Sequence, residues 1–319
     1  MTANSKHQPA SPAASAAGLV LVDKPAGWTS HDVVGKIRRL AGTRKVGHAG
    51  TLDPMATGLL LVGVNKATKL LTYLVGADKT YTATIRLGQN TDTDDADGEI
   101  TQTRFANAVT EDMIGTAIAS LTGAIDQVPS SVSAIKVDGK RAYARIRAGE
   151  QVQLQARRVH IHDFSIHRLT RHDGGRIQDL DVTVTCSSGT YIRALARDLG
   201  ELLNTGGHLT ALRRTAIGPY RIEAAATIDE LTEDFTMMAL DSAVAELFPI
   251  RRVTDAEALE LCHGRFLAPT ASGDEATELT LAQSPSGQAV ALISDKTDRD
   301  GNPVAKPELV FLNPQELQQ

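Results

Sequence analysis

The sequence has few cysteines, few aromatic residues and no long apolar run. Only Cys186 and Cys262 occur among 319 residues, which argues against a disulfide framework or a cysteine-based zinc site. Aromatic residues make up 4% of the chain, too few for a broad base-stacking platform, although a few rings could still stack on bases. No stretch approaches the ~18 consecutive apolar residues of a membrane span, and the N-terminus lacks a secretory apolar core. We therefore expect a cytoplasmic protein with reduced thiols and no membrane partner.

Charge is divided unevenly along the chain. The net charge is -5, yet the residues from Thr227 onward carry 6 basic and 17 acidic side chains. The first 226 residues carry 27 basic and 21 acidic side chains. This asymmetry is what a body facing a polyanion, with an acidic appendage, would show. Chance variation on two solvated surfaces explains it equally well.

The chain divides into three parts. Residues 1–16 are small, polar and proline-containing, which predicts a disordered tail. Residues 17–249 mix strands and helices without steady βαβ alternation, which favours an α+β fold, and a second unit is expected over 250–319. We expect helices near 110–122, 190–204, 240–248 and 255–262, and strands near 59–64, 79–88, 158–168, 178–187 and 208–217.

Helix starts are predicted from capping residues. Ser30 is a plausible N-cap for a helix that carries Val33 and Ile37 on one face. Thr190 is expected to cap a second helix, with Tyr191 and Arg193 in its first turn. An arginine there opposes the helix dipole, so Arg193 is expected to have a buried anionic partner, although a surface arginine is the alternative.

The stretch from Gly47 to Leu60 is the densest in chemically useful residues. Glycines, His48 and Asp53 crowd into a loop directly before an apolar strand. Glycine allows close approach of the backbone to a ligand, and Pro54 restricts the backbone after Asp53. An aspartate in such a rigid loop suits nucleophilic or acid/base chemistry. By itself, the pattern also fits an aspartate that only supports a turn before proline.

Several spaced motifs together resemble one enzyme family. They are, in order, GLVLVDKPAGWTS at 18–30, GHAGTLDPMATGLL at 47–60, KATK at 66–69, KTY at 79–81, TDTDDADG at 91–98, QVPS at 127–130, SAIK at 133–136, GTYIR at 189–193 and LRR at 212–214. These blocks are similar to those of the bacterial tRNA pseudouridine-55 synthases, the TruB family. The resemblance implies a mixed, mainly antiparallel sheet core of the pseudouridine synthase type, with flanking helices. It also implies a small, mostly β C-terminal domain of the PUA-like kind.

The resemblance also implies an activity and a set of catalytic residues. The aspartate of the family's GTLDP block corresponds to Asp53, the expected catalytic carboxylate. Tyr81 corresponds to the active-site tyrosine that stacks on the target base, although a core tyrosine is the alternative from its strand pattern. Arg193 is expected to hold the Asp53 carboxylate and lower its pKa. Neither a cofactor nor a metal is expected, and whether Asp53 forms an adduct or acts as a base stays open.

The remaining family matches predict RNA contacts. His48 is expected to help hold the target uridine out of its stack. Leu212 matches an apolar residue of the uracil pocket, although a core leucine is nearly as good an interpretation. The basic run over 136–158 coincides with the family's thumb segment, taken here as 124–158, and is expected to contact phosphates. A merely solvated charged face is the alternative. The expected substrate or RNA contacts are His48, Tyr191, Leu212, Lys24, Lys136, Arg141 and Arg145, although Lys24 also fits a purely structural role beside the loop.

Two classes of function remain open from the sequence. The first is a monomeric tRNA pseudouridine synthase that isomerises uridine 55 in the T-loop without a guide RNA. The second is a non-catalytic RNA-binding module or chaperone that only opens and refolds the tRNA elbow. Substitution of Asp53 distinguishes them, because only the enzyme depends on that carboxylate for its product.

Overall fold

Two sheets of unequal size organise the chain. The computed structural model describes residues 16–130, 136–137, 140–141, 154–269 and 279–317. Within those residues the α-helices are α1 (Ser30–Leu40), α2 (Leu71–Gly76), α3 (Glu111–Ser120), α4 (Ile192–Leu202), α5 (Ile228–Glu233), α6 (Leu240–Leu247) and α7 (Asp255–Cys262). The predicted helices near 110–122, 190–204, 240–248 and 255–262 are confirmed.

The larger sheet has eleven strands in the described part of the chain. They are β1 (Gly18–Lys24), β2 (Val46–Ala49), β3 (Thr57–Val64), β4 (Lys79–Leu87), β7 (Gly123–Gln127), β10 (Arg157–His172), β11 (Ile177–Cys186), β12 (Gly207–Ile217), β13 (Tyr220–Arg221), β14 (Ala226–Thr227) and β15 (Met238–Ala239). Two short hairpins lie outside it, formed by β5 (Gln89–Thr91) with β6 (Ile100–Thr103) and by β8 (Lys136–Val137) with β9 (Lys140–Arg141).

The pairing of the larger sheet is mostly antiparallel. Its main path runs β14-β1-β3-β12-β4-β11-β10-β7, and the β1–β14 and β3–β12 pairs are parallel. The expected α+β fold with a mixed, mainly antiparallel core is therefore confirmed. The alternation predicted for β4 is confirmed as well, because Tyr81, Ala83, Ile85 and Leu87 are buried while Thr82 is exposed.

The parallel contact between β3 and β12 joins the two halves of the sheet. Gly58 of β3 pairs with Arg214 of β12 and has φ +98°. A Cβ atom at Gly58 would lie 2.3 Å from the Arg214 carbonyl oxygen. Glycine is therefore needed here both for its backbone conformation and for the close approach of the strands. The loop that carries Asp53 ends directly before this junction.

The smaller sheet lies in the C-terminal part of the chain. It contains β16 (Ile250–Arg252), β17 (Thr280–Gln283), β18 (Ala289–Thr297) and β19 (Pro303–Val310), paired in that order. The expected C-terminal β unit is confirmed. Leu292 and Phe311 pack in the same apolar cluster as Leu70 and Leu74 of the larger part, so the C-terminal part shares a core with the rest of the chain.

Both observed N-caps lie one residue away from the predicted ones. The N-cap of α1 is Thr29, whose side chain accepts a hydrogen bond from the backbone N–H of Asp32 in a capping box. The N-cap of α4 is Tyr191 and not Thr190, whose hydroxyl instead donates to the Ser187 carbonyl. In each case the hydroxyl residue chosen from sequence has a different hydrogen-bond partner in the fold.

Some expectations fall partly or wholly outside the described residues. These include residues 1–15 of the predicted tail and most of the thumb segment at 124–158, with Arg145. In the part of the chain that the structure describes, no helix is both long enough and apolar enough to cross a membrane.

Candidate active site

Asp53 lies in the loop between β2 and β3, at the junction of the two halves of the sheet. Leu52 and Ala56, on either side, are buried in an apolar cluster that also contains Tyr81 and Leu212. The Ala56 N–H donates to the Asp53 carbonyl at 3.1 Å. The Asp53 side chain itself is 39% exposed. The loop is therefore anchored in the core, and its carboxylate is only partly exposed.

The Asp53 carboxylate forms an ion pair with Arg193. Arg193 Nε lies 3.0 Å from Asp53 Oδ2, and the arginine side chain is only 4% exposed. The same guanidinium lies 3.3 Å from Asp95 Oδ2 and donates to the Thr93 carbonyl at 2.8 Å. Arg193 therefore has the Asp53 carboxylate as its anionic partner, as predicted, and the buried Asp95 carboxylate shares the same cation.

The direction of the Asp53 pKa differs from the expectation. Burial raises the pKa of the Asp53 carboxyl above its ordinary value, and the charge of Asp95 raises it further. Arg193, by charge and hydrogen bonding, and Lys24 lower this pKa but do not outweigh burial. Arg193 lowers the pKa of Asp53, as predicted, but the net direction is upward, because the prediction omitted desolvation and the second carboxylate.

A pocket of about 310 Å³ opens beside this ion pair. This volume lies at the lower end of the range for small-molecule and nucleotide sites. Four of the residues predicted to form the site line it with Asp53: Tyr81, Tyr191, Arg193 and Leu212. The fold thus brings together side chains from the β2–β3 loop, β4, the start of α4 and β12.

Tyr81 contributes a buried ring to this pocket. It is 7% exposed, and burial raises the pKa of its hydroxyl. Arg214 of β12 opposes that rise in pKa through its charge and a hydrogen bond. Arg214 is itself fully buried, with Nε donating to the Leu59 carbonyl and Nη2 to the Gly50 carbonyl. The Tyr81 phenol is therefore neutral at physiological pH and held in a cationic setting.

Lys24 and His48, both predicted to contact the RNA, lie outside the pocket lining. Lys24 is fully buried, and its Nζ donates to the carbonyls of Pro25, Trp28 and Pro54. Burial lowers the pKa of this ammonium to about 8. The structure gives Lys24 no exposed surface for RNA, so the direct contact is corrected to a structural role beside the loop.

His48 lies on β2, paired with Val62, and its ring contacts that of His31 edge-on at a centroid distance of 5.8 Å. Burial lowers the pKa of His48, with additional contributions from His31 and Arg214. Its Nδ1 is buried without a hydrogen-bond partner in the described structure. His48 is therefore neutral near pH 7, and its Nδ1 is not accessible to a ligand.

The predicted basic contacts are only partly described. Lys136 and Arg141 are partners in the β8–β9 hairpin, and Arg145 lies outside the described residues. No group of three or more histidine, cysteine or acidic side chains that could hold a metal ion occurs among the residues that the structure describes.

Sequence reasoning missed several residues that shape this site. Asp95 shares Arg193, and Lys79 and Arg214 line the pocket. Gln127 brackets the Tyr191 backbone: its Nε2 donates to the Tyr191 carbonyl and its Oε1 accepts from the Tyr191 N–H. All four lie in motifs that carried the family resemblance, so membership of those motifs was the available signal.

The chain is similar to known pseudouridylate synthases over most of its length. Residues 38–192 match the model of the TruB family pseudouridylate synthase N-terminal domain. Residues 193–253 match the tRNA pseudouridylate synthase B C-terminal domain, and residues 248–312 match the tRNA pseudouridine synthase II C-terminal model. A tRNA pseudouridine synthase B from Paenarthrobacter aurescens is 58% identical over 299 residues, which cover 92% of this chain and 94% of the relative. The chain belongs to the TruB family.

Membership makes the chain a pseudouridylate synthase, which is an isomerase. The tRNA pseudouridine synthase B of Arthrobacter sp. strain FB24 is also 58% identical, over 92% of this chain and 96% of its own length. Among solved structures, one titled as an H/ACA RNP bound to a substrate RNA containing 2'-deoxyuridine matches with a TM-score of 0.69. It is 25% identical and covers 94% of this TruB chain and 86% of its own.

Proposed function

We propose that this TruB chain isomerises uridine 55 in the T-loop of tRNA to pseudouridine, as a cytoplasmic monomer without a guide RNA or a cofactor. The observation that carries the proposal is the Asp53–Arg193 ion pair at the pocket lined by Tyr81 and Leu212. The names of the relatives, which span nearly the whole chain, support tRNA as the substrate class.

The reaction needs a carboxylate at the sugar and a space in which the base can turn. The bond between N1 and C1′ breaks, C5 joins C1′, a proton leaves C5, and N1 gains one. An ionised Asp53 either attacks the nucleotide or removes a sugar proton, and Arg193 holds the carboxylate in place in both cases. No electron is exchanged overall, so these residues need no redox partner.

The pocket walls suit a uracil ring that has left its stack. Tyr81 provides a planar face, Leu212 an apolar surface, and Tyr191 a third boundary. Extrusion of the base costs roughly a few kcal/mol, and stacking and burial in such a pocket offset part of that cost. His48, neutral near pH 7, acts in this proposal as an RNA contact outside the pocket and not as a proton shuttle.

Affinity for the RNA backbone is assigned to the basic run. Lys136, Arg141 and Arg145 would contact phosphates, which supplies binding energy without sequence information. Selection of the uridine then depends on the pocket. Lys24 has no part in these contacts, because its ammonium is used by three backbone carbonyls.

The test is Asp53→Asn, with conversion of uridine 55 mapped at single-nucleotide resolution in tRNA treated with purified protein. We expect loss of product with tRNA binding largely retained. Asp112→Asn, an exposed position on α3, is the matched control and should convert uridine like the wild type. Conversion by Asp53→Asn at the wild-type rate would refute the catalytic assignment. A wild-type protein that binds and refolds tRNA without making pseudouridine would favour the chaperone.

A further inference from the structure

The loop that carries Asp53 is hydrogen-bonded, on both sides of the aspartate, to residues 27–30 at the start of α1. After it, the Pro54 carbonyl accepts a hydrogen bond from the Gly27 N–H at 2.8 Å. Before it, the Ser30 hydroxyl accepts from the Leu52 N–H at 2.9 Å and donates to the Leu52 carbonyl at 3.2 Å. The aspartate is therefore held between two attachment points on the same neighbouring segment.

The Ser30 hydroxyl supplies the hydrogen bonds that a neighbouring strand would otherwise supply to Leu52, which is buried but not part of a strand. Ser30 is 1% exposed and Leu52 is 3% exposed, so water is not available to either group. Buried backbone groups need hydrogen-bond partners, and a hydroxyl can donate and accept at once. One small side chain thus satisfies both the N–H and the C=O of the residue that precedes Asp53.

Ser30 is free for this task because its neighbour caps the helix. Thr29 and Asp32 form the capping box of α1, so the helix start does not use the Ser30 hydroxyl. Val33 and Ile37 of α1 are buried in the core under β1 and β3. The position of Ser30 is therefore set by a packed helix, which makes it a firm reference point for the loop.

We infer that Ser30 is a positioning residue for Asp53. Ser30 fixes the backbone of Leu52, immediately before the aspartate. Arg193 fixes the carboxylate of Asp53 itself. A catalytic group must be held to within about 0.5 Å of its productive geometry. Loss of the Ser30 contact leaves the carboxylate paired but the loop backbone free to shift. This inference rests on the proposed function, since it concerns the same reaction.

The experiment compares Ser30→Ala, Ser30→Cys and Thr29→Ala with the wild type under one assay of uridine conversion. Ser30→Ala removes the hydroxyl, and Ser30→Cys keeps the volume with a much weaker hydrogen-bonding group. We expect both to lower kcat by about 10–100-fold with KM within about twofold, as misplacement of a catalytic group does. Thr29→Ala loses the cap of α1, so it should lower the melting temperature and leave kcat close to wild type.

The outcomes separate positioning from simple stability. A kcat loss shared by the two Ser30 variants but not by Thr29→Ala supports the inference. Wild-type kcat in Ser30→Ala, or equal kcat losses in Ser30→Ala and Thr29→Ala, overturns it while the proposed function stands. Full recovery in Ser30→Cys would mean that only volume matters, which also overturns it. A wild-type protein that converts no uridine overturns both the proposed function and this inference.

Discussion

At the residue scale, the pKa of the Asp53 carboxyl results from opposing influences. Burial and Asp95 raise its pKa, whereas Arg193 and Lys24 lower it, and burial has the largest effect. The result is a carboxyl that is easier to protonate than an ordinary aspartate, even though it has an arginine partner. If Asp53 has to be ionised for the reaction, the enzyme loses activity on acidification at a higher pH than it would with an ordinary aspartate.

This balance predicts an acid limb in the pH profile. Because the ionised form of Asp53 is the proposed reactive form, the single-turnover rate should fall with decreasing pH through a pKa above the ordinary aspartate value. Asp95→Asn removes a negative neighbour that raises this pKa and leaves Arg193 to a single carboxylate, so the limb should move to lower pH. The measurement is the rate at saturating tRNA across pH, with circular dichroism at each pH to exclude unfolding.

The control for the acid limb is Asp112→Asn, which removes an equal charge on the outer side of α3. Its profile should overlay that of the wild type, since Asp112 is not among the groups that affect the pKa of Asp53. A limb in Asp95→Asn that stays in place or moves to higher pH contradicts the proposed charge effect.

At the element scale, the start of α4 depends on a neighbouring strand. Its N-cap residue, Tyr191, forms no side-chain capping bond, and Gln127 at the end of β7 instead pairs with both Tyr191 backbone groups at 2.9 and 3.1 Å. Gln127 is 1% exposed. The position of Arg193, two residues into the helix region, therefore depends on a contact from β7.

Replacement of Gln127 tests this dependence. Gln127→Leu keeps a similar volume but removes two hydrogen bonds; the Tyr191 N–H loses its Gln127 acceptor, whereas the Tyr191 carbonyl still accepts from the Leu195 N–H. We expect the free energy of unfolding to fall by about 2–4 kcal/mol, from about 1 kcal/mol for each bond plus the cost of the unsatisfied Tyr191 N–H. Urea unfolding followed by circular dichroism measures this difference. The control is Gln102→Leu at an exposed position on β6, which should change the free energy of unfolding by less than about 0.5 kcal/mol. An equally small effect for Gln127→Leu would show that the two hydrogen bonds to Tyr191 are not stabilising.

At the scale of the whole molecule, charge and packing divide the chain differently. The C-terminal residues from Thr227 onward are acidic, and the basic run lies in the middle of the chain. Yet Phe311 and Leu292 pack with Leu70 and Leu74, and the Lys69 ammonium donates to the Val310 carbonyl. The acidic part is thus joined to the rest of the chain by an apolar core, although its surface would repel a polyanion.

The salt dependence of tRNA binding tests the basic run. Replacement of Lys136, Arg141 and Arg145 by glutamine should weaken binding and reduce the slope of log affinity against log salt by roughly 2–3, since each lost phosphate contact removes about one. Fluorescence anisotropy with labelled tRNA over a salt series gives the slope.

A matched triple variant removes the same charge elsewhere. It replaces Arg252, Arg265 and Lys296, all in the acidic part, by glutamine. We expect its slope to stay close to wild type, because a phosphate contact is local while net charge is not. Equal slopes for the two triple variants would show that only net charge matters and that the basic run is a solvated face.

The elements of the fold were largely readable from local patterns. The alternation of β4, the apolar run of β3 and the helix near 255–262 are local features, because a strand or helix is specified mainly by the period of its own apolar residues. The two helix caps were displaced by one residue, since a hydroxyl near a helix start has several possible partners and only the folded chain selects one.

The identity of the site was carried by short motifs, and its electrostatics by contacts between distant ones. Asp53, Tyr81, Tyr191, Arg193 and Leu212 could be named from sequence because each lies in a recognisable block, and the structure places all five at one pocket. Neither the Asp95–Arg193 contact nor the burial of Lys24 could be read from those blocks. The Asp95–Arg193 contact and the burial of Lys24 both depend on the distances between loops and strands in the folded chain.

The sequence by itself determined which residue types stand in which motifs, and hence the family, the succession of strands and helices, and the candidate carboxylate. The tertiary structure alone decided how the carboxylate is restrained: Ser30 holds the preceding residue, Leu52, and Arg193 holds the carboxylate oxygens. It also decided in which direction the pKa of Asp53 moves. The physical reason is that hydrogen bonds and desolvation depend on separations of a few ångströms between groups that lie far apart along the chain.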